Sequence, residues 1–124
     1  TIVDHTRGGT RLRLNLAISY GARAELVMAA RRLAERVREG TLMPGEIDED
    51  LFAAQLYTAD VPDPDLLIRT SGEQRISNFM LWQLAYTELH LSPVLWPDFS
   101  REHFFRALLD YQRRERRFGR VLAT

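Results

Sequence analysis

Arg69 and Arg75 stand six residues apart, on either side of a Ser-Gly step, in the stretch DLLIRTSGEQRISNF, residues 65–79. That spacing suits an anion. Gly72 lets the backbone reverse, so a guanidinium at the end of a short apolar run and another just past the turn can face one gap. Ser77 adds a hydroxyl where a helix is expected to begin, and unpaired N–H groups at a helix start favour negative charge. Two planar forks and a hydroxyl match a phosphate-like group, because each fork can bond two oxygens at once. A plainer reading stands beside this one, in which Arg69 and Arg75 pair with Glu73 and nearby acids. Glu88 and His90 share one face of an expected strand and could ligate a divalent cation, although two donors make a sparse set. His5 and His103 have no nucleophile at a recognisable spacing.

The elements that must position these groups follow from periodicity and breakers. RLRLNLAISY, residues 11–20, alternates Leu12, Leu14, Leu16 and Ile18 against polar residues, which predicts a strand. From about Ala24 to Glu39 the set Leu26, Val27, Ala30, Leu33, Ala34 and Val37 recurs at helical spacing, and Gly40 is the expected stop. Asp48 is a good N-cap for a second helix reaching about Tyr57. The prolines of VPDPD make a loop, and Leu66 to Arg69 is a short apolar strand of the kind buried in a parallel sheet. Ser77 or Asn78 is expected to cap a helix carrying Phe79, Leu81, Trp82, Leu84 and Ala85. TELHL within Tyr86–Leu95 favours a strand. Ser100 should cap a last helix that buries Phe104, Phe105, Leu108, Leu109 and Tyr111 and closes at Gly119. Strands alternating with helices predict an α/β fold, a mainly parallel sheet flanked by helices on both sides.

Composition narrows the possibilities. The chain has 124 residues, about one domain, with 45% hydrophobic and 27% charged residues and a formal charge of zero. No cysteine is present, which excludes disulfides and thiolate metal sites, and all 17 basic residues are arginine, which excludes a Schiff-base or P-loop lysine. No apolar run approaches the length of a spanning helix, and a cytoplasmic protein is the expectation. The terminal RRERRFGR could touch nucleic-acid phosphates, but a neutral domain lacks the broad basic field such binders show, so nucleic acid is not the expected partner. The aromatic residues read as core or subunit interface.

RTSGE joined to RxSNF, followed by YTEL and LWPDF, resembles the cis-prenyltransferases, most closely the bacterial undecaprenyl diphosphate synthases. The likeness runs from LRLNLAISYGAR to RRERRFG, about Thr10 to Gly119, with Gly21-Ala22 where the family usually has Gly-Gly. It implies condensation of isopentenyl diphosphate with an allylic prenyl diphosphate into a long polyprenyl, by expectation undecaprenyl, diphosphate for cell-wall lipid carrier synthesis. By matching motifs, Arg69, Arg75 and Ser77 would hold the isopentenyl diphosphate and Glu88 would help bind Mg²⁺. Arg117 and Gly119, in the Arg-x-Gly element, would reach the same diphosphate across a homodimer. Membrane contact would be peripheral at most, through the lipid product. The family's HGNxRW-type motif, with the aspartate that serves Mg²⁺ and the allylic diphosphate, does not occur here. The expectation is therefore the C-terminal part of a single catalytic domain, without turnover on its own. Alternatives are a non-catalytic partner subunit, which need not keep the diphosphate-binding arginines, and a nucleic-acid-binding domain using the arginine-rich end.

Overall fold

The computed structural model describes residues 2–114. Its elements run α1 (Ile2–Thr6), α2 (Ala22–Arg38), α3 (Glu49–Ala53), β1 (Leu66–Arg69), β2 (Glu88–Leu91) and α4 (Arg101–Gln112), with 3₁₀ turns at Pro44–Glu46 and Trp96–Asp98. β1 and β2 pair in parallel, from Leu66 against Glu88 to Arg69 against Leu91. The α/β class with a parallel sheet is therefore as expected. Helix α4 packs on β2, and α3 on α2.

Local chemistry accounts for several boundaries. ARAELVMAARRLAERVR is rich in strong helix formers, and α2 stops where Gly40 takes a left-handed φ of 73°. There the Gly40 and Thr41 N–H groups donate to the Val37 and Arg36 carbonyls at 3.0 Å each. Asp48 caps α3, its carboxylate accepting from the Leu51 N–H at 2.8 Å. That helix ends at Ala53, short of Tyr57, because the chain tightens into turns with Gln55 and Leu56 N–H groups bonded three residues back.

Two expected elements are absent. Residues 11–20 carry no strand, and Leu12, Leu14, Leu16 and Ile18 are 75–85% exposed. An extended segment needs a neighbour for its backbone groups, and among the described residues the sheet consists of β1 and β2 alone. The segment is tied down instead by Arg13, which donates to the Asp60 carboxylate at 2.8 Å and its carbonyl at 3.2 Å. Nor do residues 77–86 form a helix. Ser77, Asn78 and Met80 have φ of 54°, 60° and 47°, a left-handed run that no right-handed helix admits, so this stretch is a string of turns.

Burial also departs from the periodic reading. Helix α2 buries Ala22, Glu25, Ala29 and Leu33, while Val27 is exposed. Helix α4 approaches through Ala107, and Phe104, Phe105 and Leu109 stay largely exposed. Small residues at the contact allow close backbone approach, which leaves the large side chains to either side.

At the centre of this packing lies Glu25, 1% exposed. Its carboxylate accepts from the Tyr20 hydroxyl, from the Tyr57 N–H at 2.7 Å and from the Gln83 amide at 3.4 Å. Gln83 donates also to Thr58 Oγ1 at 3.0 Å. One side chain thus joins α2, the segment before it, the turn after α3 and the turns before β2. Burial, then the hydrogen bond to Glu25 and its charge, push the Tyr20 phenol well above the usual range, so it stays a donor. Glu25→Ala leaves these donors without an acceptor, at about 1–3 kcal/mol for each one stranded. We expect it to lower unfolding stability by about 3 kcal/mol, read as a shifted urea midpoint, and Glu25→Gln, which keeps one acceptor, to lose about half as much.

Candidate functional site

Where β1 ends, the chain turns back sharply. The Ser92 N–H donates to the Arg69 carbonyl at 2.8 Å, continuing the ladder one step beyond the strands. Ser71 and Gly72 then take φ of 66° and 67°, and their N–H groups donate to the carbonyls of Val94 at 2.8 Å and Ser92 at 3.0 Å. The turn is therefore pinned to the chain leaving β2, at the carboxyl end of both strands, where ligands collect in parallel sheets.

Among the described residues, four of the five non-glycine residues with positive φ, Ser71, Ser77, Asn78 and Met80, fall within this short stretch. Such conformations cost of order 1 kcal/mol each and persist only where surrounding contacts over-determine them. Here the contacts are visible. The Ala22 N–H donates to the Asn78 carbonyl and the Arg23 N–H to Asn78 Oδ1, both at 2.9 Å. Ser77 and Asn78 thus stand at the start of a helix, but it is α2, and Asn78 already occupies its first N–H groups.

Of the residues expected to bind an anion, the structure brings Arg69 and Ser77 together. Arg69 Nη2 donates to Ser77 Oγ at 3.4 Å, and the buried Arg69 Nε has no acceptor among the described residues. A buried N–H without an acceptor costs free energy unless a ligand oxygen meets it. Arg75 instead forms an ion pair with Glu73, its side chain 70% exposed. That contact lacks hydrogen-bond geometry, since Glu73 Oε2 accepts no hydrogen bond. For Arg75, then, the plainer pairing with Glu73 is what the structure shows. Arg117 and Gly119 lie outside the described residues.

Glu88 stands elsewhere. The register sets it opposite Leu66, three residue steps or about 10 Å along the strands from the level of Arg69. Glu88 and His90 turn toward α4, while Leu89 and Leu91 face outward. Arg114, just past the end of α4, donates to Glu88 Oε2 and to the Leu89 carbonyl at 2.9 Å each, and also to Asp110. His90 Nδ1 lies 3.0 Å from the same Asp110 oxygen. Among the described residues no group of three metal-ligating side chains forms. Glu88 could thus give a cation one carboxylate, a set that matches Mg²⁺ when phosphate oxygens supply the rest.

Sequence reasoning missed three residues here. The sequence presents Asn78 only as a possible cap of its own helix, Arg114 only as part of a basic cluster, and Glu25 with no role. For the last, the available signal was a glutamate sharing one helix face with Ala22, Ala29 and Leu33 and following a tyrosine by five residues. Beside the site, a cleft of about 800 Å³ runs past Leu16, Ile18, Tyr20, Tyr57, Phe79 and Met80, with the Arg13–Asp60 ion pair on its wall. That volume falls within the range of small-molecule pockets.

Comparison with known proteins adds to this geometry. Residues 1–119 match the family model described as "Putative undecaprenyl diphosphate synthase". The chain is 56% identical over 121 residues to an isoprenyl transferase of Geobacter sulfurreducens, covering 98% of this chain and 49% of that protein. With an isoprenyl transferase of Bacillus subtilis it shares 53% over 119 residues, 96% of this chain and 46% of the other. Among solved structures, lavandulyl diphosphate synthase from Lavandula x intermedia, in complex with dimethylallyl diphosphate, superposes with a TM-score of 0.82 at 48% identity, covering 85% of this chain and 45% of that one. A "probable undecaprenyl diphosphate synthase" from Campylobacter jejuni gives 0.76 at 35% identity, covering 94% and 52%. The chain spans about half the length of the curated relatives it matches.

The polar contact between α4 and β2 has a pH signature. Hydrogen bonding to His90, then to Arg114, holds the Asp110 carboxyl below its ordinary range. A lowered carboxyl stabilises the fold above the unfolded pKa, about 4, and its contribution fades as pH falls through the lowered value. Acid unfolding followed by circular dichroism should therefore show a component below about pH 4 that Asp110→Asn removes.

Proposed function

The chain belongs to the undecaprenyl diphosphate synthase family, and from that premise we propose that it binds isopentenyl diphosphate for cis-prenyl chain elongation, as the C-terminal part of one catalytic domain. The observation that carries this is the buried Arg69 Nε, without an acceptor among the described residues, beside Ser77 in a strained loop at the end of β1. A diphosphate oxygen is the partner such a donor lacks. Ser77 Oγ can give its own proton to a second oxygen while it accepts from Arg69. Arg75, whose side chain is largely exposed, would leave Glu73 for the ligand.

In the reaction proposed, the double bond of isopentenyl diphosphate attacks the allylic carbon of the growing chain. The carbon–oxygen bond to the allylic diphosphate breaks, a carbon–carbon bond forms, and loss of a proton leaves a new cis double bond. What this chain contributes is binding and orientation: the arginines and Ser77 hold the isopentenyl diphosphate so that its alkene faces the allylic carbon. Mg²⁺ is the proposed cation, neutralising diphosphate charge when bound, with Glu88 as its protein donor in place of the Arg114 pairing. The apolar cleft past Leu16, Ile18 and Phe79 is the proposed path for the hydrocarbon chain. A homodimer would add Arg117 and Gly119 across the interface. Undecaprenyl as the product, the cell-wall lipid carrier as its use and the cytoplasm as its setting belong to the same proposal.

Losing one member of a desolvated charge pair costs on the order of 2–5 kcal/mol. Arg69→Ala should therefore weaken isopentenyl diphosphate binding, measured calorimetrically with Mg²⁺, by roughly 30-fold to several thousandfold. In the complete synthase kcat/KM should fall over the same range. Unchanged affinity in Arg69→Ala would remove the assignment.

A further inference from the structure

The geometry points to Asn78 as a positioning residue: by capping α2 from outside the helix, it holds Ser77 against Arg69 and so shapes the diphosphate site. This rests on the functional reading above and goes beyond it, because Asn78 itself is assigned no contact with the ligand.

An N-terminal helix cap is normally the residue immediately before the helix, but that position here is Gly21, which has no side chain to offer. Asn78 does the work from the far side of the fold. Its carbonyl takes the Ala22 N–H and its Oδ1 takes the Arg23 N–H, so one residue satisfies two of the donors the helix start leaves free. The absence of a side chain at Gly21 is a condition for this. A Cβ placed there would lie 3.0 Å from Asn78 Nδ2, and that amide cannot move aside without giving up the cap. Asn78 therefore sits in a slot formed by the start of α2.

The consequence reaches Ser77 through the backbone. Ser77 and Asn78 both have positive φ, a pair of conformations that relaxes unless something grips it. The grip visible here is the pair of hydrogen bonds to α2, which is in turn anchored through Glu25 to Tyr57 and Gln83. Once released, the Ser77–Asn78 peptide is free to return to ordinary φ, which turns Ser77 Oγ away from Arg69. Asparagine suits both demands, since it tolerates the left-handed region and carries a short acceptor.

Substitutions separate these demands. Asn78→Gly keeps the conformation and loses the side-chain acceptor; Asn78→Asp keeps both, and its charge favours a helix N-terminus. Gly21→Ala attacks the same contact from the other side. Isopentenyl diphosphate binding with Mg²⁺ would be measured calorimetrically, together with hydrogen exchange at the Ala22 and Arg23 amides. We expect affinity to drop about tenfold in Asn78→Gly and in Gly21→Ala, the size expected for losing a good cap, with faster exchange at the Arg23 amide in each. Asn78→Asp should restore affinity to within about threefold of the parent. The double variant Gly21→Ala/Asn78→Gly should be no worse than either single one, because both remove one interaction. If the parent binds and Asn78→Gly binds equally well, or if binding falls while the Arg23 amide stays protected, the positioning role is overturned and the site assignment stands. If the parent does not bind isopentenyl diphosphate, the functional reading falls and the positioning role falls with it.

Discussion

A carboxylate taken out of water must be met by donors, and Glu25 imposes that demand on nearly every segment around the site. Its donors come from Tyr20, Tyr57 and Gln83, three parts of the chain that no regular element joins. The described residues contain only a two-stranded sheet and few fully buried apolar side chains. Directional bonds to a single buried acceptor therefore do much of what a larger apolar core does elsewhere. They fix where segments meet, and a nonspecific apolar contact would not.

That fixed scaffold is what allows the loop after β1 to be irregular. Left-handed residues at 71, 77, 78 and 80 are unfavourable one by one, and the loop that carries them is held by bonds to elements already in place. Ser71 and Gly72 hang from the chain beyond β2, and Asn78 from the start of α2. The loop's irregularity has a chemical result: Arg69 keeps a buried N–H with no oxygen to bond among the described residues, next to a serine hydroxyl. A helix over residues 77–86 would have placed these groups differently.

The α4–β2 contact shows a different solution. Burial alternates along β2 with the polar residues inward, so Glu88 and His90 meet Asp110 and Arg114 while Leu89 and Leu91 look outward. An ionic network holds the helix on, and the apolar faces of β2, of residues 11–18 and of much of α4 are left exposed among the described residues. An alternating pattern identifies two faces; which face packs depends on the neighbour, and here that neighbour supplies charges.

Much could be read from the residues directly, and the reason is range. Gly40 as the end of α2, Asp48 as a cap, the short apolar β1 and the TELHL strand all follow from interactions spanning a few residues, which sequence encodes without reference to the rest of the fold. RTSGE with RxSNF likewise sufficed to identify the family. The pairing of Arg69 with Ser77 was legible too, because a glycine turn separates them by a short arc. What tertiary structure alone decided are the outcomes that depend on distant partners: residues 11–20 find no strand to pair with among the described residues, Arg75 turns to Glu73, Arg114 takes Glu88, and Asn78 caps a helix 55 residues earlier in the chain. Hydrogen bonds and ion pairs between remote segments carry no local pattern, so their partners emerge only when the chain has folded.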